Sequence, residues 1–234
     1  MEIYARAIAD AVHLLTAGDG TVWPVILLSL VVSGSAILIA TLVGIPAGYA
    51  LGISRWAGRG VFVILINTAM GFPPVVVGLF VYLALSRSGP LGGLDWLFTP
   101  QGMVLAQVIL ALPLVTAVSA EAVAGVPRDL RTQLRVLGAS RLQEALSVLG
   151  EVRGGVIVSI VAGFAAIISE VGAVSIVGGG IEGSTDVMTT AIMAHVRRGE
   201  TSQAMAWAVV LISIALMVNI ALGTMQGAGK RYER

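Results

Sequence analysis

Few residues of this chain can do chemistry, and their spacing restricts what that chemistry is. In AAIISEVGAVSIVGGG, residues 165–180, Ser169 and the carboxylate Glu170 interrupt an aliphatic run that closes on Gly178, Gly179 and Gly180. An acidic group at the centre of a lipid-crossing helix costs roughly 2.5–3.5 kcal/mol, so such groups face a protein interior or a water-lined cavity. Acid–base or nucleophilic catalysis needs paired groups within hydrogen-bond reach. The apolar runs supply only Glu170 and hydroxyls, which argues against an intramembrane enzyme. The absence of cysteine removes disulfides and thiolate metal sites, and His195 has no second ligand at metal spacing. No metal and no cofactor is expected.

Further along, TTAIMAHVRRGE places the hydroxyls Thr189 and Thr190 and the cations Arg197 and Arg198 on one short stretch, with Ser184 as a candidate N-cap before it. Such groups suit an arriving anion. The preceding glycines free the chain for positive φ, where successive N–H groups can form an anion-holding nest. An ionised Glu170 would repel an anion, so direct ligation is the wrong role for it. A hydrogen-bonded tether from its helix to a neighbour, in this chain or another, fits better; a structural carboxyl kept protonated is the alternative. Pro73 and Pro74 interrupt another apolar run. Carbonyls freed at membrane depth are tolerated only where protein or a water-lined cavity satisfies them. That run is a candidate pathway wall or, more plainly, a packing kink.

These groups need a scaffold, and composition specifies its kind. The 234 residues are 57% hydrophobic and only 12% charged, with mean hydropathy +0.95, against about 25% charged residues in an ordinary soluble domain. Charge-free gaps exceed the ~20 residues that cross a bilayer, and the expected fold is all-α and polytopic. Five spans are expected, near 24–52, 60–85, 103–125, 155–179 and 203–226, forming one transmembrane domain over 23–229. Residues 1–22 read as an interfacial amphipathic helix rather than a cleavable signal, and 230–234 as a cytoplasmic tail. In GIPAGYALG, Gly44, Gly48 and Gly52 share one face of the first span, a spacing that lets helices approach closely in lipid. The net charge of +1 gives no indication of nucleic acid.

Basic residues orient the chain. Arg55, Arg59, Arg128, Arg131, Arg135, Arg141, Arg153, Lys230, Arg231 and Arg234 fall on one side, and Arg6, Arg87, Arg197 and Arg198 on the other. The richer side is cytoplasmic, with the N-terminus outside and the C-terminus inside. The one long inner segment, 128–153, carries Leu130, Leu134, Leu137, Leu142, Leu146 and Leu149 at helical spacing, interrupted by Gly138, Ala139 and Ser140. Two short amphipathic helices are expected, the second capped by Ser140. They either lie on anionic headgroups or dock a partner.

The stretch RVLGASRLQEALSVL, before the penultimate span, resembles the coupling-helix region of permease subunits of ABC importers. GFPPVVVGLFVYLALSRSGPLG, ISEVGAVSIVGGGI and TTAIMAHVRRGE resemble, in matching order, the molybdate, sulfate and tungstate branch of that family, and the Ser-Glu-Val-Gly-Ala form at 169–173 is most similar to its tungstate type. Thr132, Gln133 and Leu134 stand where the family has Glu-Ala-Ala, Gly150 and Glu151 where it has Leu-Pro, Gly180 where relatives often carry Asn, and Asp186 where a basic residue is usual. The resemblance implies a homodimer in a prokaryotic cell (inner) membrane, two ATP-binding cassette ATPase subunits and an extracytoplasmic oxyanion-binding protein. It assigns coupling to Leu137, Gly138, Ala139, Ser140, Arg141 and Leu142. The candidate pathway or gate residues are Pro73, Pro74, Ser169, Glu170, Gly178, Gly179 and Gly180. Thr189, Thr190, Arg197 and Arg198 would form the periplasmic mouth.

The chain has no G-x-x-x-x-G-K-[ST] and a single lysine, Lys230, so ATP hydrolysis is expected on a separate subunit. No Arg, Lys or His lies within an expected span, so selectivity belongs with the binding protein and the membrane path binds weakly. The reading is tungstate, with molybdate or sulfate next; an ATPase-independent channel or secondary transporter is the other class. A reporter fused after Arg234 is expected to be cytoplasmic and one fused before Met1 external. Cytoplasmic signals at both ends would put the helix count wrong by one.

Overall fold

The computed structural model describes residues 10–11 and 22–230. Most of the expected interfacial helix over 1–22 and most of the 230–234 tail lie outside the described residues. What is described is helical apart from connections. Three helices are each long and apolar enough to cross a membrane: α1 (Val22–Ile53), α4 (Pro100–Ala124), and the Thr201–Ala221 part of α10 (Thr201–Lys230).

Helices α1 and α4 form the densest pair, and the glycine stripe is the reason. A Cβ on Gly44 would stand 2.9 Å from Val115 Cγ1, one on Gly48 2.7 Å from the Thr116 carbonyl oxygen, and one on Gly52 2.7 Å from Val123 Cβ. The backbones touch where side chains would otherwise separate them. Pro100 opens α4 at a position whose N–H would be unpaired anyway, and Thr99 Oγ1 accepts from Gly102 N at 3.5 Å.

The other two expected spans are broken. Helices α2 (Arg59–Met70) and α3 (Pro74–Leu85) meet at 99° across Gly71, Phe72 and Pro73. Pro73 is extended (φ −59°, ψ 126°) and Pro74 opens α3; adjacent prolines remove two donors and bias the preceding residues away from α. The result is an elbow, far sharper than a kink. Helix α3 then packs on α8 (Gly172–Gly178) so closely that a Cβ on Gly78 would lie 2.6 Å from Ala173 Cα.

The fourth span, expected to be continuous over 155–179, is not. Helix α7 (Arg153–Ile168) stops, Ser169 to Val171 turn, and α8 resumes at Gly172. Gly179 (φ 77°) and Gly180 (φ 59°) end it in the left-handed region, as their type requires. The segment 128–153 holds the two anticipated helices, α5 (Arg128–Val136) and α6 (Arg141–Glu151), and α6 meets α7 at 74°.

Helix α9 (Met188–Arg197) starts four residues later than the expected Ser184. The N–H groups of Ser184, Thr185 and Asp186 all turn back onto the Ile181 carbonyl. Two other hydroxyls cap α9 instead: Met188 N donates to Ser29 Oγ (2.8 Å) and Val187 N to Thr190 Oγ1 (2.8 Å).

Gly48→Ala forces α1 off α4 at a backbone contact and is expected to destabilise by about 1–3 kcal/mol. Gly34→Ala, with nothing within 4 Å of the added carbon, removes only a helical glycine and should be neutral to slightly stabilising. Thermal unfolding of the two purified variants beside wild type checks both signs.

Candidate functional site

The inner segment is built around one left-handed residue. At the end of α5 the N–H groups of Leu137, Gly138 and Ala139 donate to Gln133, Arg135 and Leu134 carbonyls, with Gly138 at φ 82°. Ser140 then opens α6 through a reciprocal cap: its Oγ accepts from Gln143 N (3.3 Å) and its N donates to Gln143 Oε1 (2.8 Å). This double arrest leaves Leu137 82% and Leu142 69% exposed, with Val136 (82%) and Leu146 (61%) beside them in sequence. The latter two extend the exposed apolar set beyond the expected coupling residues 137–142.

A clamp missed in the sequence holds α5 against α6. Glu144, 4% exposed, accepts from Arg131 Nε at 2.7 Å and from Arg135 Nε and Nη2 at 2.9 and 3.2 Å. The Arg135 hydrogen bonds, with those of Arg131, hold the Glu144 carboxyl below its usual range against the opposing effect of burial. The same interaction raises the Arg135 guanidinium further. The signal was present, since Arg131 and Arg135 lie four apart on one helix face. Glu144, Arg135, Ala139 and Arg141 line one cleft with Tyr49 and Ile53 of α1. The clamp therefore abuts the inner end of the longest described helix.

At the other end of the molecule the expected gate residues converge only in part. The Glu170 side-chain hydrogen bonds lie within its own segment. Its Oε1 accepts from Gly172 N (2.6 Å) and Ala173 N (3.1 Å), capping α8 across the break. The link to a neighbour runs through its backbone: Thr189 Oγ1 of α9 donates to the Glu170 carbonyl at 3.1 Å. Ser169 donates to the Ala165 carbonyl at 3.1 Å. The Pro73–Pro74 elbow does reach this place, because a Cβ on Gly172 would lie 2.6 Å from Val75 Cγ2.

The glycine turn is occupied internally. Gly179 N donates to the Ser175 carbonyl and Ile181 N to Thr185 Oγ1, while Thr185, fully buried, donates to the Gly178 carbonyl at 2.5 Å. The proposed anion nest thus has two of its N–H groups already committed. Thr190 donates to Asp186 Oδ1 at 2.6 Å. Burial raises the Asp186 carboxyl above its usual range, the Thr190 hydrogen bond partly offsetting this. Arg198 shares a cleft of about 620 Å³ with Glu182, Asp186 and His195, and Arg197 does not line it. Among the described residues no cluster of His, Asp and Glu could hold a metal.

Long apolar helices, two of them interrupted, define an integral membrane component of several spans. Residues 40–226 match the family described as binding-protein-dependent transport system inner membrane component, and the chain belongs to that family. It is 44% identical over 200 residues to a probable anion ABC transporter permease protein of Haloferax volcanii, covering 83% of this chain and 86% of that one. It is 36% identical to the tungstate uptake system permease protein TupB of Peptoclostridium acidaminophilum, over 97% of this chain and 99% of the relative. A solved structure of the MetNI methionine ABC transporter in inward-facing conformations shares the fold at TM-score 0.73 and 14% identity, over 91% of this chain and 99% of that one.

Glu144 sets a pH dependence whose sign follows from its lowered pKa. The stability it lends the α5–α6 pair is present above its ordinary 4.5 and lost as pH falls through the depressed folded value. Amide protection in 128–151, taken relative to the intrinsic exchange rate at each pH, is expected to be level from neutral pH down to about 4.5 and to fall only below that. In Glu144→Gln the acid step disappears and exchange is faster throughout.

Proposed function

We propose that this chain is the transmembrane permease subunit of an ATP-driven importer that moves an oxyanion, tungstate by preference, from an extracytoplasmic binding protein to the cytoplasm. It works as a homodimer with two ATP-binding cassette subunits, its N-terminus outside and its C-terminus inside. One observation carries the reading: a braced element exposes Leu137 and Leu142 on the basic side of a chain that has no nucleotide-binding motif of its own. Apolar side chains at such exposure, fixed by a cap and an ion pair, suit a groove on a partner.

The choice of tungstate is supported by the near full-length similarity to a tungstate uptake permease. Expected selectivity sits with the binding protein. Among the described residues the spans offer an anion no cation, and Glu170 already turns its carboxylate to backbone N–H groups. The membrane path then holds the ion weakly enough to release it.

A bulky group at Gly138 would strain a left-handed turn as well as block a partner, so Leu137→Asp is the cleaner variant. Reconstituted with its ATPase and binding protein, wild type is expected to take up tungstate in preference to molybdate and sulfate and to stimulate ATP hydrolysis. Leu137→Asp should insert and dimerise as wild type yet lose at least tenfold in stimulated hydrolysis, about 1.4 kcal/mol of docking. Undiminished uptake by that variant would make an ATPase-independent channel the better account. Preferred uptake of molybdate or sulfate would move the substrate within the same class.

A further inference from the structure

At the α7–α8 break one buried acceptor has no protein partner. Gln107 of α4 is 3% exposed. Its Nε2 donates to the Ile167 carbonyl at 3.0 Å, next to the point where α7 ends. Its Oε1 is fully buried and receives no hydrogen bond among the described residues. Within a membrane span an unmet amide oxygen is costly, because no solvent is at hand to satisfy it.

Gln107 lines a void of about 10 Å³ together with Ser29, Val32, Ser33, Glu170 and Thr189. That is about one water probe sphere, and a polar void of this size is the kind that water fills. Ser29 is already committed, donating to the Val25 carbonyl and accepting from Met188 N. Thr189 has spent its proton on the Glu170 carbonyl but keeps a lone pair. Ser33, 3% exposed, has no protein hydrogen-bond partner among the described residues, so its hydroxyl proton is free.

We propose that this void holds a single structural water that accepts from the Ser33 hydroxyl and donates to Gln107 Oε1 and Thr189 Oγ1. Three hydrogen bonds are the usual complement of a buried water. This one would join α1, α4 and the start of α9 beside the α7–α8 break, where the protein's own links are Gln107 Nε2, the Ser29 cap and the Thr189 bond. A monovalent cation suits the place less well. The Ser29 hydroxyl has spent its proton on the Val25 carbonyl and one lone pair on Met188 N, and Glu170 Oε1 accepts from Gly172 and Ala173 N–H groups, so fewer oxygen lone pairs are left for a cation than the lining suggests.

The inference does not depend on which anion is carried. Its direct test is a map of the permease in lipid nanodiscs at a resolution that resolves other buried waters. A lone peak bonded to Gln107 Oε1 is expected, and an empty void overturns the proposal. Thermal unfolding provides a second reading, of opposite sign for a wet and a dry void. Val32→Ile adds a methyl group beside the void. If water is there the methyl displaces it and strands Gln107 Oε1, lowering Tm by about 2–4 °C. If the void is dry the methyl fills empty space and Tm rises, against the proposal. In a Gln107→Met background, with no acceptor left to strand, Val32→Ile is expected to lose its penalty; a penalty that persists overturns the proposal by making the effect steric. A Tm that rises with sodium chloride but not with choline chloride assigns the void to a cation and also overturns it.

Discussion

In hydrocarbon every backbone N–H and C=O must find its partner within the protein, and this chain breaks two of its spans. Much of the described architecture answers that demand. The Glu170 carboxylate takes the first N–H groups of α8, Gln107 Nε2 takes the Ile167 carbonyl, and Thr189 takes the Glu170 carbonyl. Ser29 reaches across from α1 to take the first N–H of α9. The polar residues that look dangerous in an apolar chain are the ones that permit irregular backbone at membrane depth. A carboxylate so engaged is a structural part of the break, and its charge is partly met by the N–H groups it faces.

The two ends of the molecule are linked by unlike means. Around the α7–α8 break the links are single hydrogen bonds between side chains and backbone. In the 128–153 segment α5 and α6 are fixed by a buried carboxylate between two guanidiniums, and the clamp shares a cleft with Tyr49 and Ile53 at the end of α1. Between them α1 lies against α4 with almost no side-chain volume at the three glycines.

Features whose cause is local were legible in the sequence. The Gly44–Gly48–Gly52 stripe, the Ser140 cap, the left-handed glycines after α8 and the break at Pro73–Pro74 each follow from a residue's own stereochemistry. The sequence misled where a partner lies far along the chain. Ser184 had the right type to cap α9, but Ser29, 159 positions from Met188, holds the first N–H. Glu170 was visible as an anomaly, yet its role required knowing that the helix stops at Ile168, which no proline or glycine announces. Glu144 resembled any helical surface charge, and its burial depends on how the Gly138 turn folds α6 against α5.

Helix α1 runs for 32 residues without a charged side chain, about 48 Å at ~1.5 Å per residue, against ~30 Å of hydrocarbon. An upright helix of this length overshoots the hydrocarbon, and tilt absorbs only part of the excess. Because its partner α4 is fixed to it at the glycine stripe, the two must lean or protrude together. Bilayer thickness thus becomes a mechanical input: a thicker membrane favours a more upright pair and a thinner one a more inclined pair. The Tyr49–Ile53 end of α1, beside the clamp, shifts with that inclination, so the lipid itself helps set where the α5–α6 pair rests.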